Sequence, residues 1–223
     1  MLSDRYNIFH PIHQGLRALM YHASITVQHA DFSNVAETAK TCQHLRQMLA
    51  FFEGHAHTED ERVFSLLHKV SPETVADFEA QHVEDHRLGV VLAAAISAVE
   101  TADSDTAKWT AGRRLQYALA DFTAFNLTHM NKEESIVLNL LHAHYTDQQL
   151  LEAEQGILDS LPLEKKQYSA YWMLKGLSLP EIIEWYKKIQ ASAPEVIWQA
   201  SMQLAETLLP KEQLHQLQQA VRA

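Results

Sequence analysis

Histidines paired with carboxylates, or with each other, at a spacing of four residues are the part of this chain that could do chemistry. The chain holds 14 histidines in 223 residues, and all but His215 lie before residue 145. The richest stretch is Leu49-Ala-Phe-Phe-Glu-Gly-His-Ala-His-Thr-Glu-Asp-Glu-Arg-Val-Phe64. In a helix, His55 and Glu59 stack on one face. The apolar stripe Leu45, Leu49, Phe52, Ala56, Val63 and Leu66 runs through Glu59 and flanks His55, so this pair is aimed at a core. His57 and Glu61 have the same spacing but share the opposite, wet side with Glu53 and Asp60. A buried imidazole and a buried carboxylate are costly unless something pairs with them. A metal ion would do so.

The other helical stretches supply donors in the same style. His13 lies among Phe9, Leu16 and Met20 and points inward, while His10 and His22 sit off that stripe. His82 and His86 are four apart and are expected on one face with Val75, Phe78 and Ala93. His129 and Glu133 are four apart and are expected in line with Phe122, Ile136 and Leu140; Glu134 could substitute for Glu133. One such pair is common by chance, as the His57/Glu61 pair illustrates. Inward-facing donors on four successive helices are not. The expected metal ligands are His13, His55, Glu59, His82, His86, His129 and Glu133.

Imidazole and carboxylate without thiolate suit Fe, Zn, Mn or Ni. Seven protein ligands are too many for one tetrahedral zinc. Two octahedral ions offer about twelve positions. Five histidines, two bridging carboxylates and a bridging oxo or hydroxo group leave one of these open. A redox-active pair with one vacancy in an apolar pocket suits reversible binding of a diatomic.

Composition bounds the alternatives. The net charge of −10 argues against nucleic acid and anionic membrane as partners. No stretch has the length of a transmembrane helix, and the first ten residues show no signal-peptide run, so the expectation is a soluble cytoplasmic protein. Cys42 is the only cysteine and reads as a small core filler. No nucleotide loop, Ser/His/Asp order or thiol motif is visible.

The elements that must position the donors are long helices. The pattern predicts helices over about 5–30, 35–68, 72–101 and 107–144, joined by short loops in an up-down-up-down bundle. Ser71-Pro72-Glu73 is a helix start and Asn34 a cap. Beyond about residue 147 the helices shorten, broken near Pro162, Pro180, Pro194 and Pro210. The expected fold is all-α, with domains at 1–146 (bundle) and 147–223 (helical extension), and without β structure or a convincing internal repeat. Trp172, Tyr186 and Trp198 form either the core of the extension or a face for a homodimer.

The ordered set His13, His55-Ala-His-Thr-Glu59, His82-Val-Glu-Asp-His86 and His129-Met-Asn-Lys-Glu133 resembles the hemerythrin / HHE cation-binding family over roughly residues 5–145. The resemblance implies a four-helix bundle with a non-haem di-iron centre and bridging carboxylates. The chain departs from the family at Glu133-Glu134, where either acid could bridge, and in its tail. The first functional expectation is a protein that binds or senses dioxygen or a related diatomic. The second is a di-iron enzyme or iron-donor protein in oxidative or nitrosative stress, which needs a second exchangeable position or a nearby proton donor. His57, Tyr117 and Tyr21 are the candidates for that donor.

Overall fold

A computed structural model describes residues 5–222 of the chain, and every regular element among them is helical. Helix α1 spans His10–His29, α2 Val35–Thr58, α3 Pro72–Thr101, α4 Asp105–Lys132 and α5 Leu138–His144. The shorter α6 to α10 follow at Asp147–Ser160, Leu163–Gly176, Leu179–Ser192, Glu195–Leu208 and Lys211–Ala220.

Local chemistry fixes the helix starts. The Asn34 side chain accepts from the backbone N–H groups of Ala36 and Glu37, two donors that the first turn of α2 would otherwise leave open. Ser104 accepts from the N–H of Ala107 at the start of α4. Ahead of α1, the Asn7 side chain accepts from the N–H groups of Phe9 and His10, so the helix begins at His10 and not near residue 5. Pro72 opens α3, but the Ser71 hydroxyl donates to Thr74 Oγ1 and caps no backbone group.

The chain divides into two compact units. One comprises residues up to His10 and Leu19–Ser160; the other comprises Pro11–Ala18 and the chain from Leu161 onward. The first unit includes α6. Leu150 of α6 is fully buried in one core with Ile8, Phe64, Phe78, Val137 and Leu141. Arg5 clasps the same region, donating to Asp147 and to the Tyr145 carbonyl.

In the first unit the helices run antiparallel. Arg46 of α2 reaches Glu100 and Ser97, whereas Asp60, just past the end of α2, meets His82, earlier on α3. Asn126 of α4 meets Asp85 of α3, and Gln116 reaches the Val27 carbonyl of α1. The α3 seam is regular: Val75, Phe78, His82, Asp85, Leu92, Ile96 and Val99 are buried, with half-buried Gly89 continuing the alternating steps of three and four.

Two irregularities interrupt the long helices, and both begin at a glutamate. Glu59–Val63 and Glu133–Val137 are π-helical turns, in which the Glu59 and Glu133 carbonyls accept from the N–H groups of Phe64 and Leu138. A π turn inserts one residue and rotates everything after it relative to an unbroken α-helix. The consequence is visible at once: Val137, Leu138 and Leu141 are buried, while Ile136, expected in the core, is 45% exposed.

The second unit carries a periodicity that the sequence pattern did not reveal. Helices α7 to α10 start at 163, 179, 195 and 211, a spacing of 16 residues that also reaches back to α6 at 147. The links are Leu161-Pro162, Leu177-Ser178, Ala193-Pro194 and Leu209-Pro210. Residues preceding proline avoid the helical region, and Ala193 and Leu209 are extended accordingly. The proline-free link uses Ser178, whose backbone N–H and hydroxyl both donate to Glu181 in a capping box. The core of this unit is Leu174, Leu177, Ile182, Tyr186, Ala205 and Leu217, with Trp185 and Trp198 packed against it. The buried Tyr186 hydroxyl donates to the Ser201 carbonyl. Tyr186 and Trp172 are thus interior groups. Gly15 and Gly176 permit close backbone approach: a Cβ on Gly176 would lie 2.1 Å from the Gln14 carbonyl oxygen.

Candidate metal centre

Four buried polar groups of the first unit converge where the two π turns begin. Glu59, His82, His129 and Glu133 are all buried, and each offers a ligand atom within 4.8 Å of the others. His82 Nε2 lies 3.0 Å from His129 Nε2, 3.6 Å from Glu59 Oε2 and 3.9 Å from Glu133 Oε1. His129 Nε2 lies 3.2 Å from Glu133 Oε1. Two donors bound to one ion at 2.0–2.2 Å lie between about 2.9 Å and 4.4 Å apart. These four donors therefore fit one cation with small side-chain adjustments. His55 Nε2 lies 3.2 Å from Glu59 Oε1, so Glu59 has His55 at one oxygen and His82 at the other.

The far nitrogens of the two clustered imidazoles are already engaged. His82 Nδ1 lies 2.7 Å from Asp60 Oδ1. An ionised carboxylate only accepts, so Nδ1 carries the proton and donates it to Asp60. His129 Nδ1 lies 3.4 Å from Gln81 Oε1, which also accepts from Lys132. Both rings are thereby fixed with Nε2 directed at the carboxylates, which is how oxygen acceptors orient metal-binding histidines. Apolar walls complete the fixation: Phe64 stacks on His82 at a centroid distance of 5.4 Å, and Phe125 stacks on His129 at 6.0 Å.

The electrostatics are those of an anionic pocket. Burial alone would push the His82 imidazole down, but the Glu59 carboxylate, followed by Asp60, pushes it up to about 9. Next to it, burial raises the Asp85 carboxyl, opposed by a hydrogen bond from Asn126 and by the neighbouring histidines. Two buried carboxylates between imidazoles form a donor set that a divalent cation neutralises.

The sequence-predicted residues fall into distinct places. Glu59, His82, His129 and Glu133 come together, with His55 beside Glu59. His13 is fully buried on α1. Of the adjacent acids, Glu133 joins the cluster, whereas Glu134 turns toward His10 and accepts from Asn7. The decoy pair is exposed, with 69% of the His57 side chain and 57% of the Glu61 side chain open to solvent. His86 does not take the expected inward position; it is exposed, and the buried residue after His82 is Asp85. The seam steps from 78 to 82 by four and then to 85 by three, so 86 falls one residue past it. Asp60, Gln81 and Asp85 were not anticipated. A regular helix continued through Glu59 would carry Asp60 to the wet side, whereas the π turn at Glu59–Val63 lets it meet His82.

The family model of the hemerythrin HHE cation-binding domain matches residues 4–141, and the chain belongs to that family. No curated protein and no solved structure matches the chain. Residues 4–141 are a hemerythrin-like cation-binding domain, with a His/Glu cluster that could hold a metal ion. Among the described residues no helix is long and apolar enough to cross a membrane.

Proposed function

We propose that this chain holds two non-haem iron ions, with His82 and His129 serving one ion, His13 and His55 the other, and Glu59 and Glu133 bridging both. The observation that carries the reading is the fixed pair His82 and His129, whose Nδ1 atoms are held by Asp60 and Gln81 and whose Nε2 atoms face two buried carboxylates. The complete burial of His13 supports its inclusion, and the exposure of His86 argues against counting it among the ligands. When bound, such an iron pair supplies reversible one- and two-electron chemistry toward small molecules such as dioxygen, peroxide or nitric oxide.

The chain's own residues do the rest. Asp60 and Gln81 keep the two imidazoles oriented, and Asp60 keeps His82 basic. Phe64 and Phe78 are buried against His82 and His129 and exclude water from that side of the donors. Four imidazoles and two bridging carboxylates occupy about eight of the roughly twelve positions of two octahedral ions. Even with a solvent-derived bridge this leaves about two positions for exogenous ligands, one more than a fifth histidine would allow.

We read the function as binding of dioxygen or a related diatomic. The exposure of His86 favours the variant in which the centre also reacts with such molecules, as in a response to oxidative or nitrosative stress. The test is anaerobic loading with ferrous iron followed by air, peroxide or nitric oxide, with absorption spectra and consumption measured together. A band that reverses when oxygen is removed supports simple binding. A persistent band with sustained consumption of peroxide or nitric oxide supports reaction. No spectral change with any of the three refutes both.

A further inference from the structure

A second pair of imidazoles converges away from the buried centre. His22 on α1 and His44 on α2 bring Nδ1 and Nε2 to 3.2 Å, with the two rings nearly perpendicular at 83°. His44 is eleven residues before His55 on the same helix, about 16 Å along its axis, so the pair is separate from the cluster described above. His22 is exposed and His44 half-buried, so the pair lies at the surface.

We infer that His22 and His44 form a two-imidazole site for a divalent first-row ion such as Cu2+, Ni2+ or Zn2+. Two nitrogens bound at 2.0–2.1 Å subtend about 2.9 Å at a right angle and about 3.3 Å at the tetrahedral angle. The observed 3.2 Å lies inside that bite, so the site needs no movement of either helix. Without the ion, one ring donates its N–H to the other ring's lone pair. Burial, reinforced by His22, pushes His44 below the usual histidine range, so its ring is neutral and offers a lone pair at neutral pH. Donors that are both imidazoles favour copper, nickel or zinc over hard ions such as Mg2+ or Ca2+, with copper strongest in the affinity order; solvent completes the coordination. The pair also bridges two helices of the bundle, so an ion there cross-links α1 to α2.

The test is a titration of the full chain with cupric sulfate, followed by electron paramagnetic resonance, in the wild type and in His22→Ala and His44→Ala. The expected wild-type spectrum contains a component with two nitrogen donors that disappears in each single variant while helicity by circular dichroism is unchanged. Copper bound elsewhere, in the buried cluster or at other surface histidines, is common to all three proteins and cancels in the comparison. Should either alanine variant fail to fold, His22→Asn replaces it at the exposed member of the pair. Identical spectra and copper counts in wild type and variants overturn the inference, as does a wild-type spectrum without a two-nitrogen component.

Discussion

Asp60 offers the sharpest way to test whether the imidazoles are prepared to bind a cation. Its carboxylate accepts from His82 Nδ1 at 2.7 Å and, after Glu59, is the next carboxylate holding the imidazole up to about 9. Glu59 supplies the larger share, and Asp60 is 37% exposed, so solvent screening holds its part to about 1 kcal/mol. Asp60→Asn should therefore weaken metal binding about tenfold, the lower end of what removing such an orienting partner costs. Asp60→Ala, which also removes the acceptor, should weaken it more. The assay is competition with a chelator for ferrous iron or zinc, together with a proton NMR titration of His82 in the metal-free chain. The sign of the pH dependence follows from the raised value. In the metal-free protein the His82 interaction stabilises fully below about 6.5 and is lost as pH rises through about 9. Because the proton must leave before Nε2 can bind, metal affinity should increase over the same window, more steeply in wild type than in Asp60→Asn. Affinities for both variants within twofold of wild type would refute the reasoning.

The remaining predictions divide between the site and the scaffold. His82→Ala should lower the metal count, whereas His86→Ala should leave it at the wild-type value; the reverse pattern in elemental analysis would overturn the α3 seam. His57→Ala and Glu61→Ala, both exposed, should likewise leave the count unchanged. Phe64→Ala, removing a side chain that is 1% exposed and stacked on His82, should cost about 3 to 5 kcal/mol in denaturant unfolding. A cost under 1 kcal/mol would contradict the packing. Gly176→Ala places a methyl 2.1 Å from the Gln14 carbonyl and should destabilise by about 1 to 3 kcal/mol or more, seen as a lower Tm; an unchanged Tm would show that this approach is looser.

Much of this architecture can be read from residue periodicity, and the exceptions have identifiable causes. The His/Glu pairs were legible because a helix stacks residues four apart, and the apolar stripe separated the buried pair at His55 from the exposed one at His57. The all-helical bundle and the capping role of Asn34 followed from equally local rules. His86 was misplaced because a spacing of four and a spacing of three both return to one helix face, and only the full seam from Val75 to Val99 shows that three applies after His82. Ile136 and Asp60 were misassigned for a different reason. A π turn depends on an extra residue accommodated by packing, and no residue type at Glu59 or Glu133 announces it. The 16-residue spacing of the later helices was hidden because Ser178 stands where Pro162, Pro194 and Pro210 stand in the other links. The grouping of α6 with the first unit rests on Leu150 and its long-range packing, which composition does not report.

The measurement that bears most directly on the central claim is the number of iron ions per chain after anaerobic ferrous loading and desalting, in wild type and in Glu133→Gln. The account predicts two per chain in wild type and a clear loss in the variant, because Glu133 is fully buried among the donors and would serve both ions. One ion or none in a folded wild-type chain, or an unchanged count in Glu133→Gln, would contradict it.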